Sequence, residues 1–227
     1  HYARAEGGAL YMGRPENDQS YMLCRILPEQ LSRLLLPLGG MIKTETRALA
    51  ASLGLPVAQK PDSMELCFVP GGDYAAWLDR RGPTPPPGNF IDGEGRVLGR
   101  HLGIHHYTIG QRRGLGVPAE HRLFVSEIRP GENTVVLSDG TDLMARAVWG
   151  EGWNPLAPLE GGEGVTLRLR HSKTETPARF LLTPDGPRAE LLAPARAPTP
   201  GQLAVLYRGD TVLGSFWITG ATRLGNT

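Results

Sequence analysis

Beyond Pro83 the chain is cut into short β-prone runs by glycine and proline, and this punctuation limits what the second half can fold into. The runs fall at residues 134–137, 165–169, 178–182, 188–192, 202–207 and 211–219. Strands this short and this regularly interrupted suit small barrels rather than a doubly wound sheet. The 30 glycines and 20 prolines make up about a fifth of the chain, against roughly 12% in an average protein, and they alternate with apolar runs, so they mark turns.

The first half reads differently. Residues 44–54 carry agreeing helix signals, with Thr44 as N-cap, Glu45 in the first turn, Leu49 and Leu53 four apart, Gly54 as stop and Pro56 beyond. A second helix is predicted over 28–36, with Pro28 at its start and Leu31, Leu34 and Leu35 as its apolar stripe, and a third within 71–81 through Tyr74, Trp77 and Leu78. The cluster from Pro83 to Gly88 cannot continue a helix and marks a transition. A second break is expected between Ser138 and Val148, with Trp149 and Trp153 opening a C-terminal β domain.

Cys67 lies in the run K-P-D-S-M-E-L-C-F-V that starts at Lys60. Read with period two, Met64, Leu66 and Phe68 share one face, and Ser63, Glu65 and Cys67 the other. A thiol on the polar side is a candidate for chemistry, since a structural cysteine normally behaves as a small buried hydrophobe. The alternative is an inert, half-buried cysteine at a strand end. Asp62 and Glu65 read as turn or solvent-facing carboxylates rather than catalytic groups. The other cysteine, Cys24, forms no C-x-x-C pair with anything, and two cysteines are too few for a disulfide framework.

Net charge is +1 and excludes little. Its distribution says more. Residues 96–113 hold Arg96, Arg100, Arg112 and Arg113, three histidines, Tyr107 and no acid, the makings either of a surface that follows a sugar-phosphate backbone or of a hairpin with arginines on its wet face. Arg168 and Arg170, with His171 and Lys173, alternate with Leu167 and Leu169, so the two arginines are expected on one strand face. His101 and His105 are four apart, but glycines interrupt the segment and no further ligand completes a set, so no metal is expected. No Walker-type, G-x-S-x-G or G-x-G-x-x-G motif stands in a supporting context, and no cofactor-binding residue is assigned. No apolar run approaches the roughly 20 residues that cross a bilayer, and residues 1–30 lack a signal-peptide pattern, so a soluble, cytoplasmic protein away from membranes is expected.

H-Y-A-R at His1, N-D-Q-S-Y from Asn17, D-S-M-E-L-C-F-V ending at Val69, G-I-H-H-Y-T-I-G-Q-R-R-G-L-G from Gly103 and T-P-G-Q from Thr199 occur in this order across nearly the whole chain. As an ordered set they resemble the tRNA-specific 2-thiouridylases (the MnmA/TrmU family). The resemblance implies ATP-dependent replacement of the C2 oxygen of the tRNA wobble uridine by sulfur. Cys67 matches the catalytic cysteine that takes sulfur as a persulfide from a sulfur-carrier protein, and a transient disulfide closes the cycle. The family's other sulfur-handling cysteine is expected upstream of H-Y-A-R, and Cys24 falls where the family varies.

By the same match, His1, Asn17, Asp18, Gln19, Arg170, His171 and Gln202 bind tRNA, with Asn17 standing where lysine is common and His171 where tyrosine is usual. The residues alone leave an Asx-type turn open for 17–19 and a plain turn for Gln202. The implied fold is α+β and mainly β. Residues 1–70 would end an adenylating pyrophosphatase-loop domain as the helical remnant of an α/β nucleotide-binding domain. Residues 71–143 would form a small central β-rich domain, and 144–227 a translation-factor-like β-barrel. ATP would bind a preceding N-terminal portion, so the chain is expected to bind tRNA but not to thiolate it alone. The rival expectation is a non-catalytic RNA-binding β-barrel module.

Overall fold

The computed structural model describes residues 1–60, 69, 73–159, 162, 164–171 and 174–224. Cys67, with Asp62, Glu65 and Lys173, lies outside the described residues. Twelve strands and four α-helices follow in order: β1 (Ala3–Glu6), β2 (Ala9–Met12), α1 (Ser20–Leu23), α2 (Pro28–Leu31), α3 (Lys43–Ser52), α4 (Tyr74–Asp79), β3 (Gly88–Ile91), β4 (Val97–His101), β5 (Phe124–Arg129), β6 (Thr134–Ser138), β7 (Met144–Pro155), β8 (Val165–Arg168), β9 (Thr176–Thr183), β10 (Gly186–Arg196), β11 (Leu203–Arg208) and β12 (Thr211–Arg223). The protein is mainly β, as its punctuation predicts, and no described helix is long and apolar enough to cross a membrane.

The chain divides into two compact units, one of residues 1–60 with 145–222, the other of 61–144 with 223–227. In the first unit the strand order β12-β11-β8-β9-β10-β7 closes through a β12–β7 pairing into a six-stranded barrel. Closure leaves those strands no free edge. The barrel interior is filled by Val148, Val165, Leu167, Phe180, Leu206 and Phe216 among others. Gly150 is required where β7 meets β12, because a Cβ there would lie 1.8 Å from the Trp217 carbonyl oxygen.

The N-terminal residues cover the barrel's outer face. β1 and β2 form a hairpin with Glu6 opposite Ala9. Gly7 and Gly8 turn it with φ of 57° and 79°, a conformation that favours glycine at both positions. β2 then pairs with β12, and Ala3, Leu10, Tyr21, Cys24 and Leu31 pack on Val205, Tyr207 and Val212. Along β11, Ala204 and Leu206 point inward while Val205 and Tyr207 point to this second core. A strand buried on both faces needs the unbroken apolar run L-A-V-L-Y.

Helix α3 is capped two residues earlier than its sequence signal, at Ile42 rather than Thr44, because the Glu45 carboxylate accepts from the Ile42 backbone N–H at 2.9 Å. The helix predicted over 28–36 is a single turn, α2, after which Leu34 and Leu36 pack on the second core without helical backbone.

The second unit carries a four-stranded sheet ordered β4-β3-β6-β5, in which β3 and β6 run parallel and the other pairs antiparallel. Phe90, Tyr107, Leu115, Val125, Val135 and Leu137 form its core.

Candidate nucleic-acid interface

In the loop between β2 and α1, Asp18 is the organising group. One carboxylate oxygen accepts from the backbone N–H groups of Gly13 (2.8 Å) and Ser20 (3.0 Å), the other from the Ser20 hydroxyl (2.9 Å) and the Arg168 guanidinium (2.5 Å). Four donors fill an ionised carboxylate. Asp18 therefore shapes this loop and has little capacity left for an external ligand.

Arg168, on β8, corrects the expectation of an exposed cationic strand face. Its guanidinium also donates to Glu175 at 2.7 and 3.2 Å and lies 4.7 Å from the centre of the Tyr207 ring. Burial works against its charge, but Glu175, Tyr207 and Asp18 outweigh burial and hold the proton more firmly than usual. Strand β8 stops at Arg168, so Arg170 lies beyond it rather than beside Arg168 on one strand face.

Around this pivot the structure gathers the tRNA-contact candidates. Gln19 accepts from the Tyr2 N–H through its side chain (3.0 Å) and donates its own N–H to the Tyr2 carbonyl (2.8 Å), which fixes exposed His1 beside residues 17–19. Asn17 is half-buried, and neither its amide oxygen nor its amide nitrogen has a partner among the described residues.

Arg170 and Gln202 are tied to the segment 197–202, and His171 lies beside Tyr21. Arg170 donates to the Ala197 carbonyl at 2.6 Å, Thr199 donates to that carbonyl at 3.1 Å, and the Gln202 N–H donates to the Thr199 carbonyl at 3.1 Å. The Gln202 side-chain oxygen is buried without a partner. The exposed His171 ring lies 6.0 Å from that of Tyr21, whose hydroxyl donates to the Leu203 carbonyl at 3.0 Å. Desolvation and the nearby Cys24 thiol push Tyr21 up to about 12, so it stays a neutral donor.

Sequence reasoning missed Tyr21, Arg168, Glu175 and Tyr207 as the frame of this surface. The one available signal was the apolar run of β11, which requires cover on its outer face. Beside Gln202, a depression of about 490 Å³ is lined by Glu151, Pro200, Gly201, Trp217, Ile218 and Thr219, and Arg25 lies 5.8 Å from the Trp217 ring.

In the second unit the basic segment is largely committed to structure. Arg96 is paired with Asp92 (2.6 Å) and Glu94 (2.9 Å). Tyr107 is in the core, and buried His101 bridges the Asn133 carbonyl (3.2 Å) and the Gly103 N–H (3.1 Å). Burial, the largest influence, lowers the His101 pKa, and the ring is a neutral core group that does not share a ligand set with His105. Arg112, with His121 and Arg122, instead lines an open depression of about 490 Å³ around Gly114 and Gly116. Cys24 is a free, buried thiol pushed up to about 11 chiefly by desolvation, too high for a nucleophile near neutral pH.

Three family models match the chain in succession: a tRNA methyl transferase HUP domain over residues 1–71, a tRNA methyl transferase PRC-barrel domain over 76–139 and an aminomethyltransferase beta-barrel domain over 147–218. Among curated relatives, the tRNA-specific 2-thiouridylase MnmA of Rhodospirillum centenum is 42% identical across 97% of this chain and 60% of its own length. The MnmA of Acidithiobacillus ferrooxidans is 43% identical across 97% of this chain and 65% of its own length, and that of Sorangium cellulosum 42% identical across 98% and 61%. The chain thus spans about three fifths of the length of these relatives.

Proposed function

Since the chain belongs to the MnmA/TrmU family of tRNA-specific 2-thiouridylases, we propose that it is the tRNA-gripping and sulfur-accepting part of an enzyme that makes 2-thiouridine at the wobble position. The observation that carries this reading is the convergence of seven residues from distant parts of the chain on one surface of the barrel unit. His1, Asn17, Gln19, Arg170, His171 and Gln202 offer the contacts. Asp18 positions the loop that presents Asn17 and Gln19.

The chemistry assigns the remaining roles. A uracil carbonyl is a poor electrophile until its oxygen becomes a leaving group, which adenylation by ATP provides with release of pyrophosphate. These 227 residues carry no nucleotide-binding motif, so adenylation is assigned to residues outside them, and the isolated chain is expected to bind tRNA without thiolating it. Sulfur arrives on Cys67 as a persulfide from a carrier protein. Its terminal sulfur attacks C2, AMP leaves, and a second thiol takes the remaining sulfur–sulfur bond to give a transient disulfide. The cytoplasm is the compartment we infer for this work.

The functional division is residues 1–70 as the end of the adenylating domain, 71–143 as the central β-rich domain and 144–227 as the translation-factor-like tRNA-binding barrel.

The test is Cys67→Ser, with tRNA affinity measured by filter binding and persulfide loading by mass spectrometry. Loss of loading with affinity retained supports the reading. Equal loss of both, or persulfide loading that does not depend on Cys67, refutes a sulfur-accepting role and leaves a non-catalytic RNA-binding barrel.

A further inference from the structure

Among the described residues, one group of side chains outside the tRNA surface brings three potential metal ligands together: Asp79, His105 and His106, with one ligand atom from each lying within 4.8 Å of the others. Asp79 is the last residue of α4, and the two histidines sit in the 3-10 turn Ile104–His106 that follows β4. His105 Nε2 is 2.8 Å from one Asp79 oxygen, and His106 Nε2 is 3.3 Å from the other. The two imidazole rings lie 4.3 Å apart at 50°.

The surrounding chain holds this geometry. Thr84, in the proline-rich connector, donates its hydroxyl to Asp79 at 2.8 Å and fixes the carboxylate. Gly103, with φ of 147°, admits the His105 ring, since a Cβ there would lie 2.5 Å from the ring and 2.7 Å from the Pro85 carbonyl oxygen. The histidine side chains are 11% and 22% exposed and Asp79 40%, so the ligand atoms converge at the rim of the unit with a path to water.

We propose that Asp79, His105 and His106 form a binding site for a borderline divalent cation of the zinc type, which clamps α4 and the proline-rich connector to the turn after β4. Two imidazole nitrogens and a carboxylate oxygen are a donor set that such ions favour. Zinc bonds of about 2.1 Å in tetrahedral array put neighbouring ligand atoms about 3.4 Å apart; the His106–Asp79 separation of 3.3 Å already matches this, and the His105–Asp79 separation of 2.8 Å, to the other carboxylate oxygen, opens by about half an ångström as the ion enters. The ion takes the Nε2 positions that now face the carboxylate, each neutral imidazole then carrying its proton on Nδ1, and water completes the fourth position on the exposed side. This assigns a metal where four-residue spacing suggested none, because the effective pair is His105 with His106 rather than with His101.

The full chain is titrated with Zn²⁺ against a chromophoric chelator and with Co²⁺ by visible absorption, in wild type and in Cys67→Ser, which removes a competing thiol. The expected result is one equivalent bound in both, a Co²⁺ spectrum of low coordination number and a rise in thermal midpoint with Zn²⁺. His106→Ala and Asp79→Asn each weaken binding at least about tenfold and abolish the thermal rise, while His121→Ala changes neither. Circular dichroism identifies a variant that fails to fold, and the other then decides. Absence of saturable binding by wild type, or equal binding by folded His106→Ala or Asp79→Asn, overturns the site. Binding without a thermal rise overturns the clamp.

Discussion

Asp18 and Arg168 stand 150 residues apart in the chain and are joined by a 2.5 Å ion pair in which both side chains are at most a tenth exposed. The pair holds the 13–20 loop against the barrel wall, and Glu175 shares the arginine. Removing one partner of a buried pair strands the other charge, at a cost of about 3–5 kcal/mol, and the Glu175 contact places Asp18→Ala toward the lower end. Glu175 is 31% exposed, so Glu175→Gln is expected to cost less. Urea midpoints should fall in the order wild type, Glu175→Gln, Asp18→Ala. A normal midpoint for Asp18→Ala would show that the loop is held by something else.

Arg170 donates one nitrogen to the Ala197 carbonyl, and a guanidinium fork has further N–H groups that can pair with a phosphate. Arg170→Ala should weaken tRNA binding and reduce the slope of log affinity against log salt by about 1, as expected for one phosphate contact. If His171 contributes by stacking, His171→Ala should weaken binding with an unchanged slope. Filter binding across a salt series separates the two. An unchanged slope for Arg170→Ala removes that residue from the phosphate path.

Cys24 should make the fold sensitive to alkali. Its thiol is held at about 11 in the native state against an ordinary value near 9, so the unfolded chain loses this proton first. Stability from this group is complete below about pH 9 and drains away as pH rises to about 11, by an amount on the order of 3 kcal/mol. Tyr21, held at about 12, and Tyr207, also raised by burial, add to the loss above about pH 10. Denaturation midpoints across this range should fall less steeply in Cys24→Ala than in wild type. Parallel curves would mean that Cys24 does not titrate against folding.

Local patterns carried the six C-terminal β runs because turn residues bound each of them, and the predicted runs overlap β6 and β8–β12. Strand β7 escaped because M-A-R-A-V-W-G-E-G-W-N-P has two internal glycines, and only the approach of Gly150 to the Trp217 backbone explains the first. Alternation with Leu167 and Leu169 gave Arg168 a polar face, but not that residues some 150 positions away cover that face. The same limit applies to Tyr21 and to Asp79, whose partners are 182 and 26 residues distant. The Asn17–Gln19 and Gln202 candidates came from an ordered motif set, and the unpartnered amide atoms of Asn17 and Gln202 became visible only with the backbone around them.

His101 should make the second unit sensitive to acid. Its ring lies against Gly88, where a Cβ would come within 2.7 Å, and it bridges two backbone groups as a neutral imidazole, with Nε2 donating to the Asn133 carbonyl and Nδ1 accepting from Gly103. Burial disfavours the imidazolium, Arg100 and His106 add to this, and the Asn133 carbonyl only partly offsets it, so the native pKa lies below that of the unfolded chain. The unfolded state then binds more protons as pH falls. The contribution of His101 is whole above the unfolded value of about 6.5 and is lost progressively below it. His101→Gln keeps a donor and an acceptor but cannot titrate. Its denaturation midpoint should be lower than wild type near neutrality and fall less between about pH 7 and pH 5. If both proteins lose stability equally over that interval, protonation of His101 is not what loosens the sheet.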